Sequence, residues 1–204
     1  MLLPTMKLDE IRKEINKDFL IVQRKAAFLE KDLKHEFKHH HIEQEVRFHD
    51  YLSKYKNQWV IRLELQHKGW MASYITHFYG EKGLVAISPD VNSDYLSFYT
   101  AHFLKRFNER MNLGLVKPDD IIHAYADENL IASEHKLGNS ENGMYKFYST
   151  TPNGYVLGTC KTFKKFFKLH TFLNNEMLAG SEAEKIKTMN DTLEKYLTNT
   201  ESPF

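Results

Sequence analysis

The chain has 204 residues, enough for one domain that buries a sizeable core without disulfide bonds. Its 28 basic and 27 acidic side chains leave a formal net charge of +1, far less basic than a dedicated duplex-binding protein. A single cysteine, Cys160, excludes an internal disulfide framework and favours a reducing compartment. With no apolar run near the ~20 residues of a membrane span and no signal peptide, a cytoplasmic protein without membrane contact is expected.

The first 54 residues carry the spacing of a helix. Apolar side chains recur every three or four residues from 8 to 33 in the manner of a heptad seam, and a second apolar group follows over 42–52. This pattern predicts one long helix over 6–54, or two helices with a break around 35–41. The seam either packs on its own domain or joins a second copy of the chain in a homodimer.

The hydrophobic period changes to two at Asn57, which divides the chain into a helical arm (1–56) and an α+β domain (57–204). The predicted strands span 59–65, 70–79, 84–88, 95–99, 144–150, 155–161 and 163–173. Helices are predicted over 101–112, 118–126 and 181–197. The expected fold is therefore α+β, with a long N-terminal helical arm, an antiparallel sheet of about six or more strands, two short central helices and a C-terminal helix.

The segment His35-Glu36-Phe37-Lys38-His39 matches the HExxH pattern, in which two histidines one helical turn apart bind zinc and the glutamate activates water. Its neighbours are strongly polar, whereas a zinc helix needs an apolar back face. A solvated helix face is the favoured interpretation, so no metal site or other cofactor is predicted. A zinc hydrolase remains a distant third possibility for the function.

The predicted helix that follows Thr100 places three cationic side chains on one face. His102, Arg106 and Arg110 recur every four residues, while Phe103 and Phe107 fall on the neighbouring face. A first-turn histidine backed by two arginines suits a bound phosphate. The alternative is a surface ladder of salt bridges through Glu109. We expect the two phenylalanines in the core and the Arg106 guanidinium within reach of solvent.

This arrangement resembles the RelE/barnase-like toxin ribonucleases over about residues 95–173. The matching pieces are Thr100, His102, Arg106, Glu109, Arg110, the helical segment 118–122 and the strands 145–150, 155–159 and 166–171. The resemblance implies a metal-independent ribonuclease, in which cationic residues hold the scissile phosphate and a base helps the 2′-hydroxyl attack it. His102, Arg106 and Arg110 are the candidate catalytic residues.

Four lysines are interleaved with aromatic residues near the end of the predicted sheet. These candidate nucleic-acid-binding residues are Lys161, Lys164, Lys165 and Lys168. Basic and aromatic side chains together suit single-stranded RNA, through phosphate contacts and base stacking. The alternative is a solvated sheet edge whose lysines resist aggregation.

Two functions follow from these patterns. The first is an RNA- or phosphate-binding domain of RelE-like ribonuclease character, with RNA as its partner. The second is a non-enzymatic interaction or assembly protein that uses its N-terminal helices. The first requires the face of residues 102–110 to open onto a cleft near Lys161 and Lys168.

Overall fold

The computed structural model describes residues 1–40, 45–66, 69–129 and 133–199, and these ranges hold four α-helices and nine β-strands. The helices are α1 (Leu8–His40), α2 (Ala101–Arg110), α3 (Pro118–Glu128) and α4 (Glu182–Asn199). The strands are β1 (Glu45–Leu52), β2 (Gln58–Gln66), β3 (Gly69–Gly80), β4 (Gly83–Pro89), β5 (Leu96–Tyr99), β6 (Ser133–Glu141), β7 (Met144–Thr151), β8 (Gly154–Lys161) and β9 (Phe166–Asn174). The predicted α+β class, with its long N-terminal helix, short central helices and C-terminal helix, is confirmed.

All nine strands belong to one sheet, in the order β1-β2-β3-β4-β5-β9-β8-β7-β6. Two antiparallel meanders, β1 to β5 and β6 to β9, meet where β5 pairs with β9 in parallel. At that junction Phe98 is registered with Lys168, and Tyr99 with Leu169. The last strand of each meander therefore lies at the centre of the sheet.

Helix α1 packs on the first meander with its apolar seam. Its buried residues are Ile11, Ile15, Val22, Ala26, Leu33 and Phe37. They form one cluster with the strand residues Trp59, Ile61, Leu63 and Phe98. Within that interface, buried Asp18 accepts hydrogen bonds from Trp59 Nε1 (2.9 Å) and Asn57 Nδ2 (3.0 Å). The apolar side of α1 thus packs on the sheet of its own chain.

Helix α4 covers the second meander on the same face of the sheet as α1. It packs Met189 and Leu193 on Leu157 of β8. Leu157 precedes Thr159 by two residues and so shares its face, and Thr159 is registered with Lys168. Lys168 is in turn opposite Phe98, which belongs to the cluster under α1. The centre of this face therefore lies between two separate apolar clusters.

Helices α2 and α3 lie on the other face. Phe103 and Phe107 of α2 and Tyr125 of α3 pack together with Phe172 of β9, and the ring of Tyr125 meets both phenylalanine rings edge to face at 5.2 Å. Such edge-to-face pairs stabilise beyond the apolar area that they bury. In the part of the chain that the structure describes, no helix combines the length and the apolar composition of a membrane span.

Two segments differ from the sequence-based expectation. The helix predicted over 6–54 ends at His40, and 45–52 forms strand β1, paired along its length with β2 from Glu45↔Leu65 to Leu52↔Gln58. Alternating Val46 and Phe48 supply a period of two that competes with the helical spacing, and pairing with β2 decides between them. Strand β6 was not predicted. Only Leu137 of its nine residues is buried, so it carries no alternating pattern.

Candidate functional site

Helix α2 presents the side chains that the sequence singled out. Its N-cap is Thr100, whose hydroxyl accepts a hydrogen bond from the Phe103 backbone N–H at 3.1 Å. Phe103 and Phe107 are 0% and 1% exposed, whereas the Arg106 side chain is 41% exposed. The expected division of this helix into a core face and a solvent-accessible face is confirmed.

His102 sits half-buried between α2 and α4. Its Nε2 contacts the Tyr196 hydroxyl and lies 3.4 Å from Nε of Arg106. Because an arginine N–H can only donate, Nε2 of His102 is the acceptor in the longer contact with Arg106. Burial, followed by the charges of Arg106 and Arg110, lowers the pKa of His102. The imidazole is thus a neutral base whose acceptor nitrogen is covered by α4.

The two arginines of α2 have different surroundings. Arg106 Nη1 lies 2.7 Å from Glu109 Oε2, an exposed i,i+3 pair of the kind expected for a surface salt-bridge ladder. Arg110 donates to the Phe172 carbonyl oxygen and to Thr171 Oγ1 (3.3 Å), and so fastens α2 to β9. His102 and Arg106 are therefore in contact with each other, while the guanidinium of Arg110 is directed at β9.

A polar row crosses the sheet between the clusters under α1 and α4. Lys168 of β9 is registered with Thr159 of β8, and Thr159 with Lys146 of β7. Lys146 forms a salt bridge with Glu194 of α4. Lys161 follows Thr159 by two residues, so it lies on the same face. Lys161 and Lys168 therefore lie on one face of the sheet, between the clusters under α1 and α4.

Lys168 is the most perturbed of these cations. Burial, followed by the charges of Lys161 and Lys82, lowers its pKa to about 8. Lys82 belongs to the β3–β4 turn, whose Gly83 lies against Ala101 at the start of α2. Among the described residues neither Lys82 nor Lys161 has a carboxylate within salt-bridge distance. We call Lys82, His102, Arg106, Lys161 and Lys168 the basic seam.

His170 lies within electrostatic reach of both parts of the basic seam. It is 7% exposed, and its Nε2 is 3.0 Å from Oγ1 of Thr159. Burial, followed by the charges of Lys168 and His102, lowers the pKa of His170 to about 3. The His170 side chain is therefore uncharged near neutral pH and lies close to the basic seam.

Lys164 and Lys165 lie away from the basic seam, in the turn between β8 and β9. The Arg12 guanidinium donates to the carbonyl oxygens of Lys164 (2.7 Å) and Lys165 (3.1 Å). The Lys165 ammonium pairs with Asp94 at 2.6 Å. Of the four predicted nucleic-acid-binding lysines, Lys161 and Lys168 lie on strands β8 and β9 in the basic seam, whereas Lys164 and Lys165 lie in this turn.

The HExxH segment lies on the exposed side of the last turns of α1. His35, Glu36 and His39 are exposed, and the two imidazole rings are 4.5 Å apart at their centroids. Glu36 Oε1 is 3.8 Å from Arg47 of β1. The described residues contain no group of three histidine, cysteine, aspartate or glutamate side chains placed to hold a metal ion.

Several members of this region had no signal in the sequence. Thr159, His170 and Tyr196 reach it from β8, β9 and α4, through the parallel pairing of β5 with β9 and the packing of α4. Lys82 lies in a segment for which the sequence predicts only a turn. Comparisons with protein-family profiles, with curated proteins and with solved structures return no match for this chain.

Proposed function

We propose that the basic seam binds the phosphates of single-stranded RNA. The observation that carries this proposal is the crowding of like charges, since the groups whose charges lower the pKa of Lys168 are two further lysines. Placing cations together costs folding free energy unless a polyanion is bound between them. A phosphate backbone supplies such an anion, and its release of counterions drives binding.

An exposed aromatic ring in the turn that follows Lys161 supports single-stranded RNA as the ligand. Phe163, two residues after Lys161, is 68% exposed. Aromatic side chains beside a basic groove stack unpaired bases, whereas paired bases are not available for stacking. The near-neutral total charge of +1 also favours a local contact with a single strand over a wide contact with a duplex.

Ribonuclease character is the finer part of the proposal. His102, a neutral base, would take the proton of a ribose 2′-hydroxyl, whose oxygen attacks phosphorus to form a 2′,3′-cyclic phosphate. The bond from phosphorus to the 5′-oxygen of the next nucleotide breaks, and that oxygen takes a proton from water. Arg106 would stabilise the charge of the transition state. Nε2 of His102 holds the Tyr196 hydroxyl, so substrate would displace the end of α4 from this nitrogen. Arg110 would keep α2 in place through its contacts with β9.

Fluorescence anisotropy with a labelled single-stranded RNA at about 50 mM salt tests the binding. Lys161→Met and Lys168→Met should each weaken binding and each reduce the slope of log K against log salt by about 0.7. Lys164→Met, in the neighbouring turn, is the matched control and should change little. Absence of binding by the wild type would refute the proposal.

Cleavage is followed on the same RNA by denaturing electrophoresis. Wild-type protein should cleave without added metal, and His102→Gln should slow cleavage while leaving anisotropy nearly unchanged. RNA that is bound but stays intact would reject the ribonuclease character and leave the binding function standing. The two parts of the proposal are thereby separated.

Assembly through α1 is a second candidate, because this helix exposes apolar residues on its outer side. Leu20 and Phe28 are 56% and 59% exposed and lie eight residues apart on one face. A homodimer through this face should dissociate in a Leu20→Ser, Phe28→Ser double variant. Sedimentation at rising protein concentration measures this, and a wild type that stays monomeric would exclude it.

A further inference from the structure

A cavity lies on the face of the sheet that α2 and α3 cover, opposite Lys161 and Lys168. Its volume is about 160 Å³. Its floor is made by β5, β9, β8 and β7, and Tyr125 and Asn129 at the end of α3 complete its wall. Tyr99 and Leu169 on this floor belong to the cluster under α2 and α3, whereas Phe98 beside them belongs to the cluster under α1. The sheet therefore separates the cavity from Lys161 and Lys168.

Asn129 lines this cavity with an amide that has no internal partner. The residue is 1% exposed, and among the described residues neither Oδ1 nor Nδ2 forms a hydrogen bond. Its backbone N–H donates to the Tyr125 carbonyl oxygen at the end of α3, so its backbone N–H has a hydrogen-bond partner whereas its side chain has none among the described residues. Buried polar groups in folded proteins nearly always have partners. A buried amide without hydrogen bonds that also lines a cavity indicates that the cavity binds a ligand.

The remaining walls define what that ligand is. Phe147 and Phe167 meet edge to face with ring centroids 5.5 Å apart, and both line the cavity, which suits a planar ring. Glu134 lines it as well, and its Oε1 accepts a hydrogen bond from Tyr145 at 2.6 Å. Among the described residues, the lining contains neither lysine nor arginine. The carboxylate therefore disfavours an anion and accepts from an amino or ring N–H group.

We propose that this cavity binds a small nitrogen heterocycle with an exocyclic amino group, of the size of an aminopyrimidine. A side-chain amide presents a donor and an acceptor side by side, which matches the paired acceptor and amino group on the edge of such a ring. A cavity of roughly 150 Å³ holds a ring the size of benzene. Asn129 reads the edge of the ring, Glu134 receives its amino hydrogens, and the two phenylalanines give it apolar contact. The site is independent of RNA binding.

Cytosine is the probe, and its binding is measured by calorimetry and by the rise of Tm with ligand concentration. Cytosine should bind the wild type and raise its Tm. Uracil, which lacks the amino group, should bind about tenfold more weakly, and anionic orotate and apolar benzene should give no shift. Equal responses to cytosine and uracil, or none to either, would overturn the assignment.

The variant Asn129→Leu separates a ligand site from a structural amide. Without ligand it should melt at a higher temperature than the wild type, because it removes an unpartnered buried polar group. It should also bind cytosine about tenfold more weakly or worse. Asn108→Leu is the control: the side chain of Asn108 bonds the backbone of Leu115 at 2.8 and 3.1 Å, so this variant should melt lower and keep the cytosine response.

Glu134→Gln gives a second readout that does not depend on Asn129. It should weaken cytosine binding about tenfold and reduce the preference for cytosine over uracil, since a neutral amide cannot favour the amino group as a carboxylate does. An Asn129→Leu protein that melts lower than wild type, or that binds cytosine equally well, would show that the cavity holds only water. RNA binding should be the same in both variants.

Discussion

Replacement of Lys168 by methionine should stabilise the protein and weaken RNA binding at the same time. Methionine keeps most of the unbranched stem of the lysine and removes its charge. In the wild type this charge lies on β9 at the centre of the sheet, close to Lys161 and Lys82, and the ammonium group is partly buried. The variant therefore separates the contribution of the charge from the contribution of the packed side chain.

The magnitude follows from the pKa of Lys168. Its fall from 10.5 to about 8 means that the folded state resists protonation, which corresponds to about 3 kcal/mol of lost stability near pH 7. Partial exposure of the side chain reduces this figure to about 2 kcal/mol. Because the unfolded chain binds the proton more tightly, the stability of the wild type should rise as pH rises from about 8 to about 10.5.

Urea unfolding at several pH values, followed by circular dichroism, measures both effects. Lys168→Met should raise the free energy of unfolding at neutral pH and remove the rise above pH 8. RNA affinity should fall in the same variant, and wild-type affinity should fall as Lys168 loses its proton through about pH 8. Lys164→Met should alter neither quantity. A destabilised Lys168→Met protein would refute the like-charge reasoning.

Three further substitutions test the surrounding structure. The pKa of His170 is about 3 in the folded protein and 6.5 in the unfolded chain, so on acidification the unfolded chain takes up this proton first. The free energy of unfolding of the wild type should therefore fall by about 2 kcal/mol between about pH 7.5 and 5. His170→Gln should reduce this pH dependence in urea titrations, and an unchanged dependence would contradict the assignment. Asp18→Ala removes an acceptor of Trp59 Nε1 and should cost about 2–4 kcal/mol by denaturant unfolding, against no change if the indole finds water. Gly158→Ala places a Cβ 2.5 Å from the Phe147 ring and 2.6 Å from the Lys168 carbonyl oxygen, so it should lower stability by about 1–3 kcal/mol; an unaltered Tm would show that both the ring and strand β9 can move.

The elements that the sequence predicted correctly carry their own local signals. Helix α2 has a capping threonine at Thr100 and phenylalanines segregated from charges, so its ends and its faces could be read before the fold was known. The edge strands behaved differently. Strand β6 buries only Leu137, and strand β1 is assigned by its pairing with β2 rather than by a strong alternation. Their structure depends on a partner strand, which a local pattern does not contain.

The candidate site divides in the same way. His102 and Arg106 share one helix, so their contact follows from a spacing of four residues. Lys168 reaches the same region only because β5 pairs with β9 in parallel across a long stretch of chain. Tyr196 arrives on the last helix, and no spacing in the sequence connects it to His102. Long-range pairing therefore determined which of the predicted residues meet and which further residues join them.

Each proposed site contains a side chain whose surroundings oppose folding. Lys168 is held near two other cations, and the Asn129 amide is buried without a hydrogen-bond partner among the described residues. Local features that oppose folding persist where they serve binding, since selection for stability alone would remove them. Lys168 and the Asn129 cavity lie on opposite faces of one sheet and have opposite chemistry, a cluster of cations and a neutral-to-acidic cavity. Substitutions that relieve either one should therefore raise stability while removing only the binding that belongs to that face.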